Sequence, residues 1–426
     1  MTIQFHSMKT TNNIPQGYKN SPLGIIPQEW EVKKLGDVAE SFSGGTPKAG
    51  NNEYYDGNIP FIRSGEIHQK NTALFLSELG LAESSAKIVE KGDLLIALYG
   101  ANSGDSAISQ INGAINQAIL CIRPYNLLTS FLCSFLELKK NMYVAKYLQG
   151  GQGNLSGDIV NNYIIPIPPL PEQQKISEIL NVWDKAIKKQ TQLIEKLELR
   201  KKGLIKQLLT GKKRLPGFSG EWKRAKLGDA TIFLSTNSFS REQLNSVKGN
   251  VLNIHYGDVL VKYSSVLDAS KEDIPYINEQ IEYSPKDYVN NGDVIMADTA
   301  EDEMVGRCCE VTNIDNIKVV SGLHTILIHP IIKFAPKYLG YYLNSERYHK
   351  QIISIMQGIK VYSITKDALK NTIIDIPNIE EQAAIANILS LCDHEILLAK
   401  QKLNEFHQQK KGLMQVLLTG KKRVNI

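Results

Sequence analysis

The amino-acid sequence predicts a mixed α/β fold in which two α/β domains alternate with two long helices. Two observations lead to this prediction. A helical stretch at residues 172–214 returns at residues 381–423, an offset of 209 residues. Short apolar runs with β-strand composition precede both copies in the same order. The chain therefore reads as a pseudo-twofold repeat of one α/β unit followed by one long helix.

Each long stretch carries apolar residues at alternating spacings of three and four. Eight of ten such positions between Ile176 and Leu208 are apolar, and nine of the ten matching positions between Ile385 and Leu417 are apolar or small. A 3.5-residue period is typical of the seam between two supercoiled helices. We predict an intramolecular antiparallel coiled coil of about 39 residues per helix, roughly 58 Å long. Two alternatives are that each seam packs on its neighbouring domain or forms a homodimer.

Repeated lead-in segments give the domain boundaries. Trp30 and Trp222 each follow a segment rich in proline and glycine, and each precedes Lys-Leu-Gly-Asp. We predict a lead-in at residues 1–28, a first α/β domain at 29–167, a central long helix at 168–214, a second α/β domain at 215–376 and a C-terminal long helix at 377–426.

Inside each α/β domain the same elements are expected in the same order. A Gly-Asp turn precedes a buried strand, which is expected at residues 94–97 and 294–297. A strand that ends in proline is expected after it, at residues 118–124 and 324–330. A helix is expected next, at about 130–148 and 336–356, ending near Gly150 and Gly358. A last short strand, at 164–168 and 373–377, enters the long helix.

The composition is that of an ordinary globular protein. The chain has 426 residues, a net charge of +5, 42% hydrophobic and 22% charged residues, which suits two or three domains. No run approaches the ~18 apolar residues of a membrane span, and the polar residues 1–13 lack a signal-peptide core. We therefore expect a cytoplasmic protein without a membrane partner. The five cysteines lack the paired spacing of a disulfide framework or a zinc site.

Motifs that support catalysis are missing from the sequence. Gly211-Lys212 lacks the upstream glycine and the Ser or Thr of a phosphate-binding loop, and no G-x-G-x-x-G segment opens a helix. Pro168-Pro169 has neither a preceding Asp or Asn nor a following aromatic residue, so it cannot hold a flipped base. We predict no catalytic residue, no metal site and no cofactor in this chain.

Loops that differ between the two domains carry side chains suited to DNA. Hydroxyl, amide and basic groups can donate to phosphates and to base edges in the major groove, although solvated surface is the simpler interpretation of any one of them taken alone. The candidate DNA-binding residues of the first domain are Ser43, Gly44, Gly45, Thr46, Lys48, Arg63, Ser64, Tyr99, Asn102, Gln152 and Asn154, and those of the second are Asn237, Ser238, Arg241, His255, Tyr256, Arg307, Lys360 and Tyr362.

Several short segments together identify a family. Each long helix begins at a Pro-Leu-x-Glu-Gln signature, present at residues 169–173 and less faithfully at 378–382. Ile-Pro-Gln-Glu-Trp at 26–30, Ser-Gly-Gly-Thr-Pro at 43–47 and Asn-Gln-Ala at 116–118 accompany it. The chain resembles the DNA-specificity subunit of type I restriction-modification systems over nearly its whole length. The second domain departs from the pattern because it lacks the Gly-Gly-Thr-Pro loop and the Asn-Gln-Ala triplet.

The resemblance implies a non-catalytic reader of double-stranded DNA. Each target-recognition domain would read one half of a bipartite asymmetric site, and the helices would set the spacing and dock two methyltransferase subunits. Those subunits would carry S-adenosylmethionine and flip adenines, motor-nuclease subunits would join for cleavage, and a phage anti-restriction protein is a further expected partner. The alternatives are a free-standing nuclease or methyltransferase and a purely structural coiled-coil scaffold.

Overall fold

A computed structural model describes residues 14–147, 154–281, 283 and 285–425. The chain divides into two compact units, one formed by Met1–Thr191 with Lys402–Ile426 and the other by Gln192–Gln401. Each unit contains one α/β domain and one half of each long helix. Within the described residues, no helix is both long enough and apolar enough to span a membrane.

The first unit is built on small sheets. Its strands are β1 (Tyr18–Ser21), β2 (Gly24–Pro27), β3 (Glu31–Lys34), β4 (Ala39–Ser43), β5 (Tyr55–Ile62), β6 (Leu74–Leu76), β7 (Lys87–Val89), β8 (Leu94–Ala97), β9 (Ser106–Ile108), β10 (Gly113–Ile115), β11 (Ile119–Pro124) and β12 (Ile164–Ile167). The sheet orders are β4-β11-β8-β9, β6-β5-β10-β7, β12-β3 and β1-β2. The predicted buried strands β8 and β11 are confirmed.

The helices that begin in the first unit include the first of the two long helices. They are α1 (Glu78–Ala82), α2 (Thr129–Tyr147), α3 (Gly157–Asn161) and α4 (Leu170–Leu208), of which α4 crosses into the second unit at residue 192. The helix predicted at about 130–148 is α2. Gly150, expected near its end, lies outside the described residues.

The second unit repeats this plan. Its strands are β13 (Lys223–Lys226), β14 (Thr231–Leu234), β15 (Leu244–Asn245), β16 (Leu252–Ile254), β17 (Val266–Asp268), β18 (Tyr276–Ile277), β19 (Val294–Ala297), β20 (Thr299–Ala300), β21 (Cys308–Thr312), β22 (Val319–Ser321), β23 (Thr325–Pro330), β24 (Tyr362–Ser363) and β25 (Ile373–Ile376). Its larger sheets have the orders β14-β23-β19-β21-β17 and β15-β18-β16-β22. The expected strands β19, β23 and β25 are all present.

One helix prediction in the second unit is wrong. The single helix expected at about 336–356 is two helices, α7 (Tyr338–Leu343) and α8 (Glu346–Ile355), which follow α5 (Leu227–Ala230) and α6 (Tyr256–Val261). The break lies at Asn344, whose side chain donates to the Cys308 carbonyl (2.7 Å) and accepts from the Cys308 amide (3.1 Å). Ser345 then caps the new helix by accepting from the Tyr348 amide at 3.3 Å. The last helices are α9 (Lys366–Lys370) and α10 (Ile379–Leu417).

Helices α4 and α10 pack together in antiparallel orientation, as predicted. In the first unit Trp183 meets Phe406 edge to face, with ring centroids 5.8 Å apart. All ten predicted seam positions of each helix are buried or half-buried. The two lysines at seam positions form ion pairs across the seam, because Lys410 reaches Asp184 on the other helix at 2.8 Å and Lys201 likewise pairs with Asp393.

Both long helices end six residues earlier than the sequence repeat. Residues 172–214 and 381–423 were expected to be helical, but α4 ends at Leu208 and α10 at Leu417. Gly211 and Gly420 then adopt φ values of +67° and +70°, the left-handed conformation that glycine accepts without strain. The Lys213 amide donates to the Gln207 carbonyl, which closes the C-terminal turn.

The arginine that follows each helix closes a cluster that we call the Trp-Glu-Arg clasp. In the first unit, fully buried Glu172 accepts from the Trp30 indole at 2.8 Å and from Arg423 at 2.7 and 3.0 Å. In the second unit, the corresponding set is Glu381, with Trp222 at 3.1 Å and Arg214 at 2.6 and 2.7 Å. Each clasp thus ties the start of one long helix to the end of the other and to its α/β domain.

The glutamine of the Glu-Gln signature has a structural role as well. Gln173 donates to the Pro168 carbonyl at 2.8 Å and accepts from the Leu128 amide at 2.8 Å. Gln382 makes the same two bonds in the second unit, to the Pro377 carbonyl and from the Ala335 amide. The signature therefore fixes the first turn of each long helix against the α/β domain.

Candidate nucleic-acid interface

Each unit has one sheet edge at which polar loops converge. Strand β5 runs parallel to β10 with Ile62 opposite Ile115, and β16 runs parallel to β22 with Ile254 opposite Ser321. Parallel strands end at the same edge of a sheet. Arg63, which follows β5, therefore lies at the same edge as the loop after β10, and His255, which follows β16, lies at the same edge as the loop after β22. Ligands commonly bind at such carboxyl ends.

The loops after β5 and β16 are equivalent. They read Ile62-Arg63-Ser64-Gly65-Glu66-Ile67 and Ile254-His255-Tyr256-Gly257-Asp258-Val259, a shared Ile-x-x-Gly pattern followed by an acid and an aliphatic residue. Arg63 and His255 are both N-cap residues of the short helices that follow. The pattern is detectable in the sequence, but only once the two units are aligned at this loop.

A buried carboxylate in each of these loops holds an arginine. Glu66 accepts from Arg63 Nε at 3.1 Å and from a terminal nitrogen at 2.9 Å, and Asp258 binds both terminal nitrogens of Arg241 at 2.9 Å. The bond from Arg63 lowers the pKa of Glu66 below its ordinary value, so the pair is charged at neutral pH. The side chains of Arg63 and Arg241 remain 48% and 53% exposed. Both guanidinium groups are therefore fixed in orientation and open to solvent, as recognition of phosphate or guanine requires.

Other candidate residues of the first unit lie around the same edge. The Asn102 amide nitrogen would be 3.7 Å from a Cβ on Gly65, so Asn102 lies beside the Arg63 loop. The Leu155 amide donates to the Leu98 carbonyl at 2.9 Å, which places Asn154 near Tyr99. Ser64 adjoins Arg63 and is half-buried. Gln152 lies outside the described residues.

The strap at residues 43–48 passes along this edge as well. Ser43 ends strand β4 opposite Leu120, and the Thr46 hydroxyl bonds the Gln117 side chain at 2.7 Å. Lys48 is exposed, and no carboxylate lies within 4 Å of its amine in the described part of the chain. This strap and the Arg63 loop form the first candidate surface.

The glycines of the strap are required by packing. A Cβ on Gly44 would lie 1.8 Å from the Ile115 carbonyl oxygen, and one on Gly45 would lie 2.0 Å from the Ser85 hydroxyl. Any larger residue would push the strap away from strand β10. The structure accounts for these glycines by this close approach, and their contact with DNA stays a prediction.

The edge of the second unit is richer in aromatic side chains. The His255 and Tyr256 rings are 4.6 Å apart, and Tyr256 meets His324 edge to face at 5.3 Å. Burial, with the nearby charge of Arg241, lowers the pKa of His255, so this ring is neutral at pH 7 and accepts from the Gly257 amide at 3.2 Å.

Two candidate residues of the second unit are placed differently. The Asn237 amide donates to Asn253 at 2.6 Å and to the Ser321 carbonyl at 3.0 Å, while its oxygen accepts from the Phe239 amide. Its hydrogen bonds thus hold the loop that also carries Ser238. Arg307 lines a separate cleft of about 650 Å³ with Met304 and His349.

Several residues of both edges were not anticipated from the sequence. They are the buried acids Glu66 and Asp258, which orient the arginines, together with Gln117, Thr299 and His324. His324 has φ of +52°, which turns the chain sharply before β23. In the described residues, no group of three or more His, Cys, Asp or Glu side chains is arranged to hold a metal ion.

Comparison with known proteins identifies the family of this chain. The family model described as the type I restriction modification DNA specificity domain matches residues 27–199 and 221–408. The chain belongs to the type I restriction-modification DNA-specificity family. The first copy of this specificity domain supplies β3 to β12 and most of α4, and the second supplies β13 to β25 and most of α10.

Individual specificity subunits match over nearly the full chain. The type I restriction enzyme MjaVIII specificity subunit of Methanocaldococcus jannaschii is 26% identical over 416 residues, which are 94% of either chain. A chain from a solved type I R-M system aligns with TM-score 0.59 and 17% identity, covering 93% of this chain and 99% of that one. The S subunit from M. genitalium aligns with TM-score 0.55 and 14% identity, covering 98% and 99%. These structures share the fold of this specificity subunit.

Proposed function

We propose that each unit of this specificity subunit reads one half of a bipartite asymmetric DNA site. The observation that carries the proposal is the duplicated edge at which a buried acid orients a half-exposed arginine, Arg63 in one unit and Arg241 in the other. The framework around these arginines is repeated, whereas the loops beside them differ. Repeated scaffolds with divergent loops suit two modules that read different bases.

The proposed activity is recognition without catalysis. The relative from Methanocaldococcus jannaschii is named a specificity subunit of a restriction enzyme. This name supports the proposal that other subunits of the complex catalyse the reactions. Two methyltransferase subunits, docked along α4 and α10, would bind S-adenosylmethionine and methylate adenine, and motor-nuclease subunits would cleave. The specificity subunit would then dictate the target of both reactions. Its target is DNA, so the complex would work in the cytoplasm.

A salt-titrated binding assay tests the first of the two edges. We expect Arg63→Ala, in the complex assembled with methyltransferase subunits, to weaken specific binding about 5- to 150-fold, because an oriented base contact contributes ~1–3 kcal/mol. Lys48→Ala should weaken binding to all sequences and lower the slope of log K against log salt by about 1. Fluorescence anisotropy with the mapped site and with a scrambled duplex measures both effects.

Lys91→Ala is the matched control for these variants. Lys91 is exposed and precedes β8, at the opposite end of that strand from Tyr99, so its removal should leave specific binding unchanged. Glu66→Gln should produce part of the Arg63→Ala loss, because the guanidinium would lose its charged partner. Wild-type affinity in Arg63→Ala would contradict the role given to this edge.

The long helices are proposed to set the distance between the two half-sites. Inserting one heptad after Thr191 and one after Gln401, where the helices pass from one unit to the other, adds about 10 Å. The unspecified gap in the DNA site should lengthen by roughly three base pairs at 3.4 Å each. Sequencing of methylated adenines in cells that carry the variant gives the gap directly.

A heptad inserted in only one helix is the control for this experiment. It should abolish methylation, because one helix would then be one heptad longer than the other, and the two clasps, which join the start of one helix to the end of the other, could not both form. An active double insertion with the original gap would refute the spacing role.

A further inference from the structure

A short hairpin in the second unit presents an apolar tip. Strand β24 pairs with β20, with Tyr362 opposite Ala300 and Ser363 opposite Thr299. Gln357 and Ser363 exchange backbone hydrogen bonds of 2.9 and 2.8 Å. Gly358 has φ of +129°, and a Cβ on it would lie 1.9 Å from the Val361 carbonyl oxygen. The tip at residues 358–361 is therefore a tight, closed turn.

The side chains at this tip point into solvent. Ile359 is 92% exposed and Val361 is 51% exposed, with the exposed Lys360 between them. No carboxylate lies within 4 Å of the Lys360 amine among the residues that the structure describes. A positively charged group between two β-branched side chains suits a surface that is both anionic and locally apolar, which is the character of a DNA groove.

The hairpin adjoins the candidate interface of the second unit. At its base, Thr299 lies 3.5 Å from the His324 ring, which in turn packs on Tyr256. Just after the hairpin, the Ile364 amide donates to the Asp298 carbonyl at 2.9 Å. These contacts connect the tip to the same edge that carries Arg241 and His255.

The sequence that precedes the equivalent backbone hydrogen bond is different in the first unit. The Leu155 amide donates to the Leu98 carbonyl at 2.9 Å, as that of Ile364 does to Asp298. The residues before Leu155 read Gln-Gly-Gly-Gln-Gly-Asn, without any β-branched side chain. The apolar tip is thus a property of one unit and not of the shared framework, as expected of a determinant of specificity.

We propose that Ile359, supported by Val361, packs against the 5-methyl group of a thymine in the half-site read by the second unit. This inference rests on the function proposed above. The major groove admits a two-stranded ribbon, and thymine alone presents a methyl group there. An aliphatic side chain cannot hydrogen-bond a base edge, so contact with that methyl is the discrimination it can provide. Lys360 binds a phosphate beside the contacted base.

Replacing thymine by deoxyuridine tests the contact, because it removes only the methyl group. Each thymine of the mapped half-site is replaced in turn, and binding by the assembled wild-type complex is measured. At one position we expect a loss of about fourfold, the change for removing one buried methyl group. Ile359→Ala should bind the thymine duplex less tightly than wild type and should bind the thymine and deoxyuridine duplexes equally.

Ile331→Ala is the control, since Ile331 is 55% exposed and follows β23 at the opposite end of that strand from His324, so its removal should leave sensitivity to deoxyuridine intact. The inference is overturned if the half-site contains no thymine, if no deoxyuridine substitution weakens binding, or if Ile359→Ala remains as sensitive as wild type. A wild-type complex that binds the mapped site but ignores deoxyuridine overturns this inference alone. A complex that does not bind the site at all overturns the proposed function with it.

Discussion

Arg423→Ala is expected to destabilise the first unit by about 2–3 kcal/mol and to leave the second unit unchanged. Among the residues that the structure describes, the variant leaves the fully buried Glu172 carboxylate with the Trp30 indole as its only side-chain donor. Removing one partner of a buried ion pair typically costs ~3–5 kcal/mol. The expected loss is smaller because the Arg423 side chain is still 33% exposed.

Native-state hydrogen exchange measures this effect segment by segment. Amides in the first turns of α4, which begins at Leu170, should exchange faster in Arg423→Ala, whereas those in the first turns of α10 should not. Arg214→Ala should show the reverse pattern, because Arg214 closes the clasp on Glu381 in the second unit.

Two further variants separate the clasp from general surface effects. Lys422→Ala removes an exposed neighbour of Arg423 and should have no effect. The double variant Arg423→Ala with Glu172→Gln should recover most of the lost stability, since no charge is then left buried. Equal destabilisation of both units by Arg423→Ala would contradict the clasp as the cause.

The sequence predicts the paired helices but not the clasp that joins their ends. The heptad spacing predicted the paired helices, because a seam is encoded by local periodicity in each helix. In the sequence alone, the basic residues that follow Leu208 and Leu417 have a simpler explanation, a favourable interaction of cations with the C-terminal end of a helix dipole. Their buried partners lie 167 and 251 residues away, and no local pattern links such distant positions. The repeat itself offered the clue, since Glu172 and Arg214 recur together at the same offset.

The sequence likewise predicts only part of the candidate interface. Loop position and side-chain chemistry selected Arg63 and Arg241, which the structure places at equivalent edges. The sequence could not show that Asn237 uses its amide inside the fold, because its partner Ser321 is distant in the chain. Ile359 was not predicted either, because an aliphatic side chain has no hydrogen-bonding group that marks it as a candidate for DNA binding.

Exchanging residues 29–165 for the matching domain of another specificity subunit is expected to replace one half of the methylated sequence completely. The residues of the second edge, from Arg241 to Tyr362, belong to the other unit and are untouched. Specific sites are typically bound 10³–10⁷ times more tightly than other DNA. The old half-site should therefore disappear from the methylome while its partner persists.

The clasp determines which residues the incoming domain must contain at its first positions. Trp30 donates to Glu172 and Glu29 accepts from Arg423 at 2.7 Å, so the incoming domain must supply Glu and Trp at these positions. The matched control exchanges residues 221–376 and should replace only the other half-site. A change in both halves after either exchange would mean that the two edges do not read DNA independently, and the division of the site between Arg63 and Arg241 would be wrong.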